Sequence, residues 1–132
     1  YPLVRIKVPN GDQLADHALE EHQEVKETLA RLEKMSLDNL DFEGEFRSLV
    51  TSVTDHVNEE EAELFPLLLA HFDRDELDTL GTQLAAAKAV APTRPHPNAP
   101  NQPPFNLLAG AGAAVVDRAR DMITGRGEAD RK

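Results

Sequence analysis

Three observations predict an all-α fold, an up-down antiparallel helix bundle. Apolar residues recur every three or four positions over three long stretches, the spacing that gathers them on one helical face. The first two stretches are joined by only a few residues, so they should run antiparallel as neighbours. The one alternating run, Val4, Ile6 and Val8, has no second strand to pair with, and a lone strand is not stable.

Composition narrows the class. The chain has 132 residues, enough for one domain of ordinary size. It carries 14 Lys and Arg against 24 Asp and Glu, a net charge of −10. That balance argues against nucleic acid, whose phosphates are bound by clustered Lys and Arg, and equally against an anionic membrane surface. No apolar run approaches the roughly 20 residues needed to span a bilayer. No basic-then-apolar leader opens the chain. With no cysteine, disulfides, thiolate metal sites and thiol nucleophiles are excluded. These features fit a cytoplasmic protein. The first residue is Tyr1 rather than Met, so the sequence is expected to be a piece or a processed form.

Residues 1–10, at the start, are apolar without a partner strand and read best as the end of a helix and its exit. Asn10-Gly11-Asp12 is a turn signal. A helix is predicted from about Asp12 to Met35, with Leu14, Ala18, Val25, Leu29 and Leu32 on its apolar face and His22 filling a gap in that spacing. Glu20, Glu24, Glu27 and Arg31 mark its solvent side. A second helix is predicted from about Leu40 to Leu69, with Asp38 or Asp41 as cap. Pro66 should kink or loosen its last turns. A third spans Arg74 to Val90, opened by a capping box of Asp73 and Glu76 and striped by Leu77, Leu80, Leu84 and Ala87. The bundle is thus placed at 1–90. Residues 91–104 hold many prolines and read as an extended arm. Residues 105–132 are assigned a short amphipathic helix over about 113–123 and a disordered tail from Gly125.

The second helix contains a misfit. Its apolar stripe of Phe42, Phe46, Leu49 and Val53 continues to Leu64 and Leu67, but His56 and Glu60 interrupt it. Residues four apart share a helical face, so these two form a pair. Ionisable groups on a buried stripe must be paired, hydrogen-bonded or metal-bound. Folding the hairpin about residue 38 sets His22 opposite residue 54, about 3 Å along the axis from His56. His22, His56 and Glu60 should therefore face inward at nearly one height. Two imidazoles and a carboxylate suit iron or zinc; a buried hydrogen-bonded couple is the other reading of the pair. Glu61 and His17 lie about 140° round their helices from His56 and His22, which sets them off the site. Glu59 and Glu63 are read as solvated, His71 as a helix-end residue and His96 as part of the arm. Tyr1 is placed near the site. No phosphate loop, nucleophile motif or other catalytic signature is present, and no residue is assigned a catalytic role.

Tyr1-Pro2-Leu3-Val4 also echoes Phe65-Pro66-Leu67-Leu68. In the second copy a His and a Glu stand nine and five residues before the aromatic. The echo implies an earlier His-x-x-x-Glu helix upstream of Tyr1.

Glu21-His22-Gln23-Glu24-Val25-Lys26, with His56-x-x-x-Glu60-Glu61-x-x-x-Phe65-Pro66, resembles the hemerythrin HHE cation-binding family. Ala87-Lys88 and Ala91-Pro92-Thr93-Arg94-Pro95-His96-Pro97 resemble the segment after the bundle in many bacterial members. The resemblance covers about residues 1–97. It implies a four-helix bundle with a non-haem di-iron site built from two repeats, each a His on one helix and His-x-x-x-Glu on the next. Only the second repeat is present here: His22, then His56 and Glu60. The resemblance makes these three metal ligands and iron the cofactor. It implies a protein that binds or senses O2, NO or peroxide, or handles iron. Two alternatives stand beside it: a peroxide-decomposing di-iron enzyme, and a metal-free helical interaction module. A homodimer of two half-bundles about a two-fold axis would be another way to complete the site.

Overall fold

The computed structural model describes residues 1–100 and 105–124. Among these the regular elements are all helices: α1 (Pro2–Lys7), α2 (Gly11–Lys34), α3 (Phe42–Glu59), a π-helical turn (Glu60–Leu64), α4 (Phe65–His71), α5 (Arg74–Ala89) and α6 (Phe105–Thr124). The expected all-α class is therefore found. The chain divides into two compact units, Tyr1–Gly81 and Thr82–Lys132.

In the first unit, residues 2–7 are helical, not extended. Asn10 takes the left-handed conformation (φ 56°, ψ 23°), which asparagine tolerates better than most residues. This reverses the chain so that α1 folds back on α2. Gly11 is required at the crossing: a Cβ there would lie 2.0 Å from the carbonyl oxygen of Val4. Arg5 reaches over the junction to Asp12 and Asp16.

α2 and α3 form the expected antiparallel hairpin. Asp41 occupies the N-cap position of α3, but its side chain makes no capping hydrogen bond. The apolar stripe of α3 is only partly covered. Phe46 is 48% exposed and Val53 39%, so the expectation of a buried stripe fails there. One neighbouring helix shields one side of α3, and the rest of the stripe stays open.

The loosening expected at Pro66 takes a definite form. Proline has no N–H to give to the carbonyl four residues back. Just before it the ladder widens into the π turn, and the Phe65 N–H bonds to the Glu60 carbonyl. Such turns are frequent at functional sites.

The echo between the two Pro-containing segments is structural as well. α1 and α4 are single short helices with proline in the first turn. Each ends at an extended residue, Val8 or Phe72, whose N–H bonds to the carbonyl of Val4 or Leu68 at 3.0 and 2.9 Å. Val4, Val8, Leu64 and Phe72 form the buried core of the unit, with Tyr1, Leu14, Leu67 and Leu77 packed around it. Fully burying a side chain of this kind contributes about 1.5–3 kcal/mol. Lys7 pairs with Glu76 and lies 5.0 Å from the Phe72 ring centre, adding a cation–π contact. The capping box at α5 forms as expected, with Glu76 N–H bonded to Asp73 at 2.9 Å and Asp73 N–H to Glu76 at 3.0 Å.

In the second unit the proline-rich stretch holds no regular element from 91 to 100, but it bends where a straight arm was expected. Side chains draw it onto α6. The guanidinium of Arg94 bonds to Asp121 at 2.8 Å, the Arg94 N–H to Asp117 at 3.1 Å, and His96 to Asp117 at 2.8 Å. Arg118 donates to the carbonyls of Ala89 and Ala91, which tethers the end of α5. α6 starts at Phe105, well before the expected 113, and runs through Gly110 and Gly112. Residues 101–104 of the arm and the tail 125–132 lie outside the described residues.

Candidate metal centre

α2 presents His22, and α3 presents His56 one helical turn before Glu60, the first residue of the π turn. The hairpin brings them to one level, as the axial arithmetic required. The Nε2 atoms of His22 and His56 are 2.8 Å apart, and His56 Nε2 lies 3.6 Å from Glu60 Oε1. One nitrogen or oxygen from each of the three lies within 4.8 Å of the others. A cation held at roughly 2.1 Å from its ligands spaces them about 3.0–3.4 Å apart. The set therefore fits a divalent transition metal with little adjustment.

His56 is buried, while His22 and Glu60 are half-buried. Burial pushes the His22 imidazolium down, and the neighbouring His56 and Lys26 push it further, against the pull of Glu60 and Glu21. The neutral form favoured here is the one that can ligate.

Two further residues complete the group. Tyr1 donates its hydroxyl hydrogen to Glu60 Oε1 at 2.7 Å, and its oxygen lies 3.4 Å from His22 Nε2. Burial, then the bond to Glu60, raises its phenol above the ordinary value, so it stays a donor. The expected position of Tyr1 near the site is thus found. Glu21 accepts from Nδ1 of His56 at 2.6 Å. This fixes the His56 tautomer and leaves the lone pair on Nε2, the atom beside His22 and Glu60. Sequence reasoning gave Glu21 no role. The available signal was its place beside His22 and four residues after His17.

The remaining candidates fall elsewhere. Glu61 and Glu63 are exposed, and His71 is exposed at the end of α4. His96 belongs to the Asp117 contact of the second unit. His17 is off the inner group, as expected, but bonds to Glu59 at 3.2 Å, which sequence reasoning had left to solvent. Val53 and Val57 are 39% and 43% exposed, so Leu64 supplies the buried apolar cover. A cavity of about 40 Å³ lies alongside, lined in part by His56, Glu60 and Leu64. That is room for a few waters or a small ligand.

Helices presenting two inward histidines and a carboxylate define a class, the helical cation-binding bundles. Comparison with known proteins is specific: the profile of the hemerythrin HHE cation binding domain matches residues 1–68, and the chain belongs to that family. An uncharacterised hemerythrin-like protein of Schizosaccharomyces pombe is 35% identical over 113 residues, covering 86% of this chain and 56% of the relative. A DNA nickase of Nostoc sp. is 29% identical over 89 residues, covering 67% of this chain and 25% of the nickase. The chain thus spans about half of the first relative and a quarter of the second. No solved structure matches it. Among the described residues no helix is long and apolar enough to cross a membrane.

Proposed function

We propose that the chain holds a non-haem iron centre, with His22, His56 and Glu60 as ligands, and acts in the cytoplasm on O2, NO or peroxide. The observation that carries this reading is the convergence of three donor atoms from two helices on one point, within 4.8 Å of one another. Bound iron, one ion or a di-iron pair, would supply reversible capture or reduction of the small ligand. The protein's part is to hold and orient. Glu21 sets His56 so that Nε2 faces the metal position. Tyr1 holds the Glu60 carboxylate and keeps a proton next to it. The small cavity beside His56 and Glu60 has room for a ligand of two or three atoms.

A ligand set and a small cavity suffice for binding, whereas peroxide decomposition also needs proton delivery in step with the redox change. Binding or sensing is therefore preferred. A metal-free module is disfavoured because two facing imidazole nitrogens and a carboxylate gain most from a shared cation. DNA, on which the Nostoc relative acts by name, is not carried over, since the net charge of −10 opposes phosphate binding.

A second copy of the chain is favoured by one observation. Phe46, Val50, Val53 and Val57 are all exposed and form a single stripe along α3. Three donors also fill only half of a six-coordinate shell. A two-fold partner would cover the stripe and bring three more donors. Light scattering with metal present should give twice the chain mass; a strict monomer sinks the dimer. For the ligand assignment, iron is measured in purified wild-type protein and in His56→Ala. The variant should lose it, and full retention would refute the assignment.

A further inference from the structure

A second group of metal-type donors lies on the outer side of His56. We propose that His17, Glu21 and Glu59 form an outer divalent-cation site that loads the inner group, with the Glu21 carboxylate as the link to His56. The loading half of this proposal rests on the reading of His22, His56 and Glu60 as a metal centre; the outer site itself does not.

Four observations converge. His17 Nε2 lies 3.2 Å from Glu59 Oε2 and 3.6 Å from Glu21 Oε1, separations close to the 2.8 and 3.6 Å of the inner group. The three donors fall within 4.8 Å of one another. Glu21 links the two groups: Oε1 faces His17, and Oε2 accepts from Nδ1 of the inner ligand His56. The same 40 Å³ cavity is lined by His17, Glu21 and Glu59 and by His56 and Glu60.

Local structure explains the arrangement. His17 and Glu21 are one turn apart on α2 and share its face. Glu59 closes α3 and Glu60 opens the π turn, so consecutive carboxylates serve the two groups.

The chemistry suits passage and not retention. One imidazole and two carboxylates match Fe(II), Mn(II) or Zn(II). The His17 and Glu59 side chains are 60% and 54% exposed, so water completes the shell and exchange is easy. As a purely structural feature the group would contribute little, because exposed ion pairs are worth about 0–1 kcal/mol.

Calorimetric titration of the 132-residue chain with Zn(II) separates the possibilities. The expected wild-type isotherm has two classes of site. The double variant His17→Ala, Glu59→Gln should lose the weaker class and keep the tighter one. His22→Ala, which does not touch Glu21, should do the reverse. An isotherm that the double variant leaves unchanged overturns the outer site. If the double variant removes a class but His22→Ala changes nothing, the inner reading fails and the outer site stands. Loading is read separately. Tyr1 is the one tyrosine in a chain without tryptophan, and it touches the inner group, so its fluorescence reports occupancy there. On anaerobic mixing with Fe(II), quenching should slow at least about tenfold in the double variant, the low end of what a charged approach contributes to an on-rate. Equal rates overturn the loading route.

Discussion

Replacing Glu21 by Gln tests the inner site at its most informative point. The carboxylate accepts from His56 Nδ1 at 2.6 Å, and its side chain is 24% exposed. A hydrogen bond to a charged group contributes about 1.5–3 kcal/mol and a neutral one about 1 kcal/mol. Glutamine keeps an acceptor oxygen, so the bond survives and only its charge assistance is lost. That loss should weaken the inner site by about 1.4 kcal/mol, or roughly tenfold in dissociation constant. The figure lies at the low end of the 10–100-fold range found when partners of metal-bound histidines are removed. The measurement is a Zn(II) competition titration against a chelator, followed by Tyr1 fluorescence. It is made in the His17→Ala, Glu59→Gln background, so that the outer group does not contribute. Nitrogen NMR of the metal-free protein should also show the His56 proton held at Nδ1 in wild type and a minor Nε2–H population in the variant, because the weaker bond favours the Nδ1–H form less. Affinity unchanged within about twofold, with an unchanged tautomer, would refute the orienting role of Glu21.

Gly11→Ala should destabilise the first unit by about 1–3 kcal/mol in urea unfolding, the usual cost of overpacking, because the new Cβ would meet Val4 backbone 2.0 Å away. The same shift should pull Tyr1 off Glu60 and alter its fluorescence. In the second unit, burial alone would push the Asp117 carboxyl up. The hydrogen bonds from His96 and the Arg94 N–H, with the charges of both, outweigh it and hold the group below its ordinary value of 3.8. Its contribution is therefore present above that pH and disappears as pH falls through the lower, folded value. Protection of the Arg94 amide, its exchange rate compared with a free peptide at the same pH, should report this: strong at neutral pH and lost in strong acid. In Asp117→Asn exchange should be roughly tenfold faster at neutral pH, as expected for losing part of a charge-assisted bond, with a weaker dependence of protection on acid. An equally protected amide in the variant would count against the clamp.

Much of the fold could be read from spacing. α2, α5 and the continuous run of α3, the π turn and α4 begin and end within a few residues of the bounds expected for the three long helices, because period, turn residues and proline act locally. The capping box of Asp73 and Glu76 is a three-residue relation and forms as written. The alignment of His22 with His56 followed from a short link and a fixed helical rise. α6 was shortened in expectation because Gly110 and Gly112 weigh against a helix, and that penalty of about 1 kcal/mol each is readily overridden.

What spacing could not decide is which surfaces meet. Tyr1 and Glu60 are 59 residues apart, and Glu21 and His56 are 35 apart. Their contacts exist because α1 folds back over Gly11 and α2 lies against α3. Glu59 and His17 looked like solvated residues for the same reason: periodicity assigns a face to a residue, not a partner to the face. The stripe from Phe46 to Val57 makes the converse point. Its pattern is that of a core, but only a neighbouring helix can bury it, and α2 covers one side alone. The sequence by itself determined a helical chain with three metal-type side chains on inward faces. The tertiary structure decided that they converge, that Glu21 and Tyr1 orient them, and that a second donor group stands outside, because these depend on the closing of distant segments and not on local chemistry.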